Sequence, residues 1–229
     1  VLPLPFLSGM LGWYRVDAVA TGTPTVAAWP DASGNGITLT QTGAACPLYV
    51  ENAKNTQSVL RFDGVDDQLT GVPTTQCGTV ITAFCPKTIP TSGTGTGPAF
   101  LNVTPQGTNV RFYLRMVYST PGQLQLCCET SSQLLTVPTY TCTANTWCYL
   151  TLIKSSTGAL EAYANGTRYL NTTFTLGGPQ TGANPTGMLG GDANGYLNMD
   201  LGELLIYNRV LTAGERQQLE SYLKTKYGL

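Results

Sequence analysis

The sequence of 229 residues predicts an all-β fold, a two-sheet antiparallel jelly-roll sandwich with one short C-terminal α-helix. Three observations predict it. Short strand-like segments recur with turn residues about every eight to twelve positions. Helical periodicity is confined to the final stretch. Charged residues make up only 11% of the chain, against roughly 25% in an average soluble domain, and Thr, Gly, Asn and Gln take their place.

A proline-containing lead-in, residues 1–12, precedes a single sandwich domain over 13–229, with strand character already present from Met10 to Ala18. Thr25 to Trp29 runs into the turn cluster Pro30-Asp-Ala-Ser-Gly-Asn-Gly36. Ser58 to Leu69 reads as strand, turn and strand, bent at Asp63-Gly64, and Thr79 to Pro86 reads as a buried apolar strand. Thr91 to Pro98 is a low-complexity loop, expected to be the most mobile element. Val110 to Tyr118, Gln123 to Cys128 and Gln133 to Val137 form a meander. Trp147 to Lys154 and Ala159 to Ala164 form a hairpin, and Asn165-Gly166 turns the chain back into Thr167 to Leu170.

In the closing strand Leu201, Glu203, Leu205 and Tyr207 alternate with Gly202, Leu204, Ile206 and Asn208. Thr212-Ala-Gly-Glu215 is a capping box, Leu219, Tyr222, Leu223 and Tyr227 form an apolar stripe, and Gly228 is the stop. The expected helix, about 212–227, latches onto the sheet beside it.

Composition excludes several functions. The net charge is −1 with scattered basic residues, so neither nucleic acid nor an anionic membrane is an expected partner. No apolar run approaches the ~18 residues of a membrane span. The lack of an initiator Met points to a processed product or a piece of a longer polypeptide. Histidine is absent, which removes Ser–His–Asp and Cys–His catalysis and imidazole metal ligation. The cysteines number seven, an odd count that leaves at least one thiol without a partner in the chain. Cys142 with Cys148, or Cys77 with Cys85, are local pairs; disulfides and reduced buried thiols both stay open.

The motifs Trp13-Tyr14 with Asp17, Trp29-Pro-Asp31-Ala-Ser33-Gly34-Asn35-Gly36, Pro47-Leu-Tyr49 with Leu60-Arg-Phe62-Asp63-Gly64-Val-Asp66-Asp67, Trp147 with Tyr163-Ala-Asn165-Gly166, and Gly202-Glu203 through Leu211 occur in one order. In that order they resemble the laminin-G-like, concanavalin A-like lectin–glucanase domains of bacterial and phage surface proteins. The resemblance implies a concanavalin A-like sandwich in a lectin-like, carbohydrate-binding or adhesion role, displayed extracellularly or on a virion. A glycan or polysaccharide is the implied partner, with other virion or surface proteins beside it. It also admits a structural or decoration domain of a phage particle and, third, a glycan-active hydrolase or lyase.

Hydrolysis requires two carboxylates facing one cleft, and the spacing argues against such a pair. Asp200 and Glu203 are expected on opposite strand faces, Asp66 and Asp67 are expected to diverge, and Glu161 is solitary on its strand. Glu203 therefore reads as a structural residue at the sandwich edge, and the expectation is no enzyme. Sugar recognition needs an exposed ring beside amides and carboxylates. Tyr196 with Asp192 and Asn194 is the best such group, followed by Tyr118 and Tyr140. Trp13, Trp29 and Trp147 read as core. No cofactor is required; Ca²⁺ is an optional ligand, with Asp63, Asp66 and Asp67 as donors and Asp192, Asp200, Asn194 and Asn198 as further oxygen sources.

Overall fold

Strand alternation is realised as two antiparallel sheets. The computed structural model describes residues 8–19, 24–73, 78–92, 97–102, 111–129, 134–173, 187–192 and 194–229, with backbone alone at 111–112, 127–129 and 134–139. In chain order the strands are β1 (Met10–Arg15), β2 (Ala28–Trp29), β3 (Leu39–Thr40), β4 (Leu48–Lys54), β5 (Gln57–Asp63) and β6 (Leu69–Val72). There follow β7 (Gly78–Pro86), β8 (Ala99–Asn102), β9 (Arg111–Met116), β10 (Gln123–Glu129), β11 (Leu134–Thr141) and β12 (Cys148–Lys154). The last are β13 (Ala159–Ala164), β14 (Thr167–Thr173), β15 (Gly187–Leu189), β16 (Gly191–Asp192), β17 (Gly195–Tyr196) and β18 (Asn198–Tyr207), before helix α1 (Ala213–Tyr227).

One sheet has the order β14-β13-β12-β7-β18-β5-β4, with β1 also on β18. The second has the order β11-β10-β9-β8-β15-β6-β3-β2, and β16 pairs with β17 in a separate ribbon. Trp29, Phe62, Phe84, Phe100, Leu101 and Leu204 belong to the main core between the sheets. A second core lies under α1, where Leu219, Leu223 and Tyr227 meet Ile81, Ala83 and Leu205. This explains the unbroken apolar run of β7. Val80 and Phe84 serve the main core while Ile81 and Ala83 serve the helix, so both faces are covered.

The turn-rich motifs are architectural. The Asp31 carboxylate accepts from the N–H groups of Trp13 (2.9 Å), Ser33 (2.8 Å), Asn35 (3.0 Å) and Gly36 (3.1 Å), and Asn35 Nδ2 donates to Met10 O at 2.8 Å. Burial alone would raise the Asp31 pKa, but these donors hold it below its ordinary value. Asn165 and Gly166 have φ of 49° and 79°, as a two-residue hairpin turn requires. Strand β1 begins at Met10, inside the segment read as lead-in; residues 1–7 lie outside the described residues, as do 93–96 of the low-complexity loop. Trp29 is fully buried in the main core, Trp13 lies in the second core, and Trp147 stacks on Tyr227 with ring centroids 5.5 Å apart.

The closing strand departs from simple alternation. Its register with β7 shifts between Leu201 and Glu203, so a bulge sits at Gly202 and reverses the expected facing. Leu201 joins the main core with Leu204 and Ile206, while Leu205 and Tyr207 lie under the helix. A Cβ at Gly202 would meet the Tyr227 ring at 2.5 Å. The partner of β18 on this side also changes there, from β5 (Asn198–Leu201) to β1 (Glu203–Tyr207).

Helix α1 carries the expected capping box: Glu215 N–H donates to Thr212 Oγ1 at 3.3 Å and Thr212 N–H to Glu215 at 2.8 Å. Gly228 closes it with φ 59°. Among the described residues no helix is long and apolar enough to cross a membrane.

Candidate functional site

One end of the sandwich gathers the end of β5, the segment after β7, the turn after β9, and the ribbon leading into β18. Asn198 pairs in register with Asp63, and Lys87 N–H donates to Asn198 O at 2.8 Å, fixing three connections side by side. Gly64, with φ 81°, turns the chain beneath Asn198; an added Cβ would lie 2.9 Å from the Asn198 Cβ. These segments enclose an open cleft of about 360 Å³, whose walls include Asp63, Thr88, Ser92, Tyr118, Tyr196 and Asn198.

Of the five ring and polar residues expected to bind ligand, Tyr118 and Tyr196 line this cleft, and Asp192 and Asn194 line a pocket beside Tyr118. Tyr118 donates its hydroxyl to Asn194 O at 2.7 Å, and Gly195 leaves room for it, since a Cβ there would lie 2.7 Å from that oxygen. Asn194 donates to both carboxylate oxygens of Asp192, at 2.9 and 3.1 Å. Asp192 thus shapes the ribbon, and burial together with its charge raises the Tyr118 pKa. Tyr118 and Tyr196 are half-buried and both line the cleft. Asp192 and Asn194 line a smaller pocket of about 90 Å³, with Asn102, Tyr113 and Arg115. Tyr140 stands apart from this group. Its ring packs edge-on against Tyr169, centroids 5.3 Å apart, and Asn165 Nδ2 reaches its hydroxyl at 3.4 Å.

Asp66 and Asp67 do not diverge as expected. The turn wraps so that Asp63, Asp66 and Asp67 each bring a carboxylate oxygen within 4.8 Å of the others. Asp63 accepts from Val65 N–H at 2.7 Å, and Asp67 accepts from Asp63 N–H at 2.8 Å. Burial, opposed by that N–H and reinforced by the neighbouring charges of Asp63 and Asp66, pushes Asp67 up to about 6. The donor chemistry fits a hard cation, which these three residues would hold. Asp67 is only 3% exposed and does not line the cleft.

Asp200 and Glu203 also depart from expectation. The Gly202 bulge leaves both facing away from the main core, and each is already committed. Asp200 receives Arg61 through two hydrogen bonds of 2.7 and 2.9 Å, with Lys87 at 3.7 Å. Glu203 lies on the central strand beneath α1, not at a sandwich edge. It is wholly buried and accepts from Trp13 Nε1 (2.5 Å), Lys226 Nζ (2.6 Å) and Tyr222 Oη (3.0 Å). Glu161 is the one carboxylate of β13, as expected; Tyr163 donates its hydroxyl to it and Arg168 lies 3.9 Å away.

Thr88, Ser92 and Val65 escaped the sequence reading, because no motif marks them and only the fold brings them beside Tyr196. The pairing of Asn198 with Asp63 is the one signal that strand register offered.

The two sheets define a lectin-like β-sandwich. The chain belongs to the concanavalin A-like lectin/glucanases superfamily, whose laminin-G-like family model matches residues 88–215, more than half of the sequence. No curated protein matches the sequence. Among solved structures, the binding domain of botulinum neurotoxin serotype D is similar with TM-score 0.68 and 11% identity, over 95% of this chain and 51% of that one. The binding domain of Paraclostridial Mosquitocidal Protein 1 gives 0.67 and 15%, over 94% and 53%. A Trypanosoma rangeli sialidase gives 0.62 and 15%, over 95% and 33%. The chain spans about half the length of the two binding domains and a third of the sialidase; at these identities the likeness is one of fold.

Proposed function

We propose that this domain is a non-catalytic carbohydrate-binding module displayed on a cell or virion surface, and that the cleft between Tyr118 and Tyr196 receives a glycan. The observation carrying this reading is the placement of two half-buried tyrosines in one cleft with Asp63, Ser92 and Asn198. Rings cover the C–H faces of a sugar while amide, hydroxyl and carboxylate read its hydroxyls. Among the described residues lining the cleft, Asp63 is the only carboxylate, whereas glycosidic hydrolysis uses two. The binding-domain neighbours favour the same reading, and the sialidase neighbour is the reason to test it against hydrolysis.

No cofactor is required on this reading, and Ca²⁺ at Asp63, Asp66 and Asp67 is an optional addition at the rim. The test is a glycan array with and without EDTA, followed by calorimetry on Tyr196→Ala and Tyr118→Phe. Binding that survives EDTA and weakens at least tenfold in Tyr196→Ala is the expected result. Absence of binding to any glycan, or release of sugar from a bound one, overturns it. In Tyr118→Phe the lost hydrogen bond to Asn194 is expected to weaken binding less than loss of the Tyr196 ring.

A further inference from the structure

Strand β11 ends in one sheet and β12 begins in the other, and the reversal between them is bounded by Cys142 and Cys148. The reversal is tightly held. Cys142 N–H donates to Gly122 O at 2.7 Å, Thr146 N–H to Thr143 O at 3.1 Å, and Asn145 N–H to Pro86 O at 2.7 Å. Asn145 adopts φ 59°, which completes the turn. Cys148 pairs in register with Phe84. Both cysteines are free thiols buried in the main core, at 5% and 2% exposure, and Cys142 is near enough to Cys148 to raise its pKa.

We propose that Cys142 and Cys148 form an intrachain disulfide that ties the two sheets together at this corner. The geometry singles out this pair. The other pair suggested by spacing includes Cys77, which lies outside the described residues; its neighbour Gly78 opens the extended strand that carries Cys85. Seven strand steps separate Gly78 from Cys85, about 23 Å, far beyond the roughly 7 Å limit between bridged Cα atoms.

The chemistry closes with a small-molecule disulfide such as oxidised glutathione as oxidant. One cysteine thiolate attacks it and releases a glutathione thiolate. The second cysteine thiolate then attacks the mixed disulfide and releases the other, so two thiols of the chain are oxidised and one glutathione disulfide is reduced. The Cys148 S–H, donating towards Cys142 and buried, is held well above the ordinary thiol range in the folded chain. Thiolate is therefore scarce after folding, and the bond forms while the corner is still open.

The cross-link also bears on the helix. Trp147 lies inside the seven-residue ring and stacks on Tyr227 at an interplanar angle of 9°, so fixing the reversal fixes a contact of α1.

The experiment refolds the full chain in a buffer of reduced and oxidised glutathione, alkylates free thiols in denaturant, and digests it without reductant. Chymotryptic cleavage after Trp147 separates the two cysteines for mass spectrometry. The expected result is one linked pair of peptides, carrying Cys142 and Cys148 and lost on reduction. The oxidised chain is also expected to melt higher than the reduced one, by about 5 °C, a difference that vanishes in Cys142→Ser/Cys148→Ser. Alkylation of both cysteines after refolding, or linkage of either to Cys85 or another thiol, overturns the proposal. The peptide map uses the unaltered chain and so stands even where the double variant fails to fold.

Discussion

Glu203 is a buried carboxylate whose partners arrive from two elements: Trp13 on β1, 190 residues earlier, and Tyr222 and Lys226 on α1. Removing the cation while keeping the acid leaves a charge in a site with no water to solvate it. Lys226→Met is accordingly expected to cost about 3–5 kcal/mol in urea unfolding. Glu203→Gln combined with Lys226→Met is expected to recover a large part of that loss, because a neutral amide oxygen still accepts from Trp13 and Tyr222. Equal losses in the single and double variants would contradict this. At the same scale, local devices were legible in the sequence and distant ones were not. Asp31 serves Ser33, Asn35 and Gly36 within five positions, so that turn could be read directly, whereas nothing near Asp31 or Glu203 announces Trp13. The bulge at Gly202 likewise leaves no mark beyond the glycine itself, and it reversed the reading of which residues share a face.

For the helix, capping chemistry is local, and its sequence pattern translated into structure without loss. Thr212→Ala is expected to cost about 1 kcal/mol of unfolding free energy. Glu215 adds a pH dependence. Its hydrogen-bonded pairing with Arg209, then its bond from Thr212 N–H, lowers its pKa from 4.5 to about 2. A depressed carboxylate stabilises the fold above its unfolded pKa, and that contribution is lost as the group protonates. Denaturant midpoints are therefore expected to fall as pH drops from about 4.5 towards 2, with a shallower fall in Glu215→Gln. The β16–β17 ribbon was half legible. Asp192, Asn194 and Tyr196 are sequence neighbours, but Tyr118 reaches Asn194 only through the turn after β9, and Tyr140, chosen for its ring alone, lies with Tyr169 instead.

At the scale of the whole molecule, two cores share one sheet. Removing residues 212–229 would uncover Met10, Ile81, Ala83, Tyr149, Leu205 and Tyr207 as a contiguous apolar surface. The truncated chain is expected to bind a hydrophobic dye and to elute as aggregate in size-exclusion chromatography; a dye-silent monomer with native circular dichroism would show that the helix is dispensable. The sandwich class was readable because strand periodicity and turn residues repeat along the whole chain. The cleft was not, because it is made of loop positions whose only common property is that the fold brings them to one end.

The place of β18 has a consequence in time. It lies between β7 and β5 and also carries β1, yet it is among the last strands in the chain. The β9–β10–β11 meander of the other sheet joins near neighbours and can form as soon as it exists. The helix-bearing sheet must instead wait for a strand nearly two hundred residues downstream of its first one, and the loop-closure entropy of that pairing slows the step. Refolding is expected to show an early phase that orders the meander and a later one that buries Trp13 against Glu203. Until then, β1, β5 and β7 present unpaired edges, which makes this interval the point at which the protein is most exposed to misassembly.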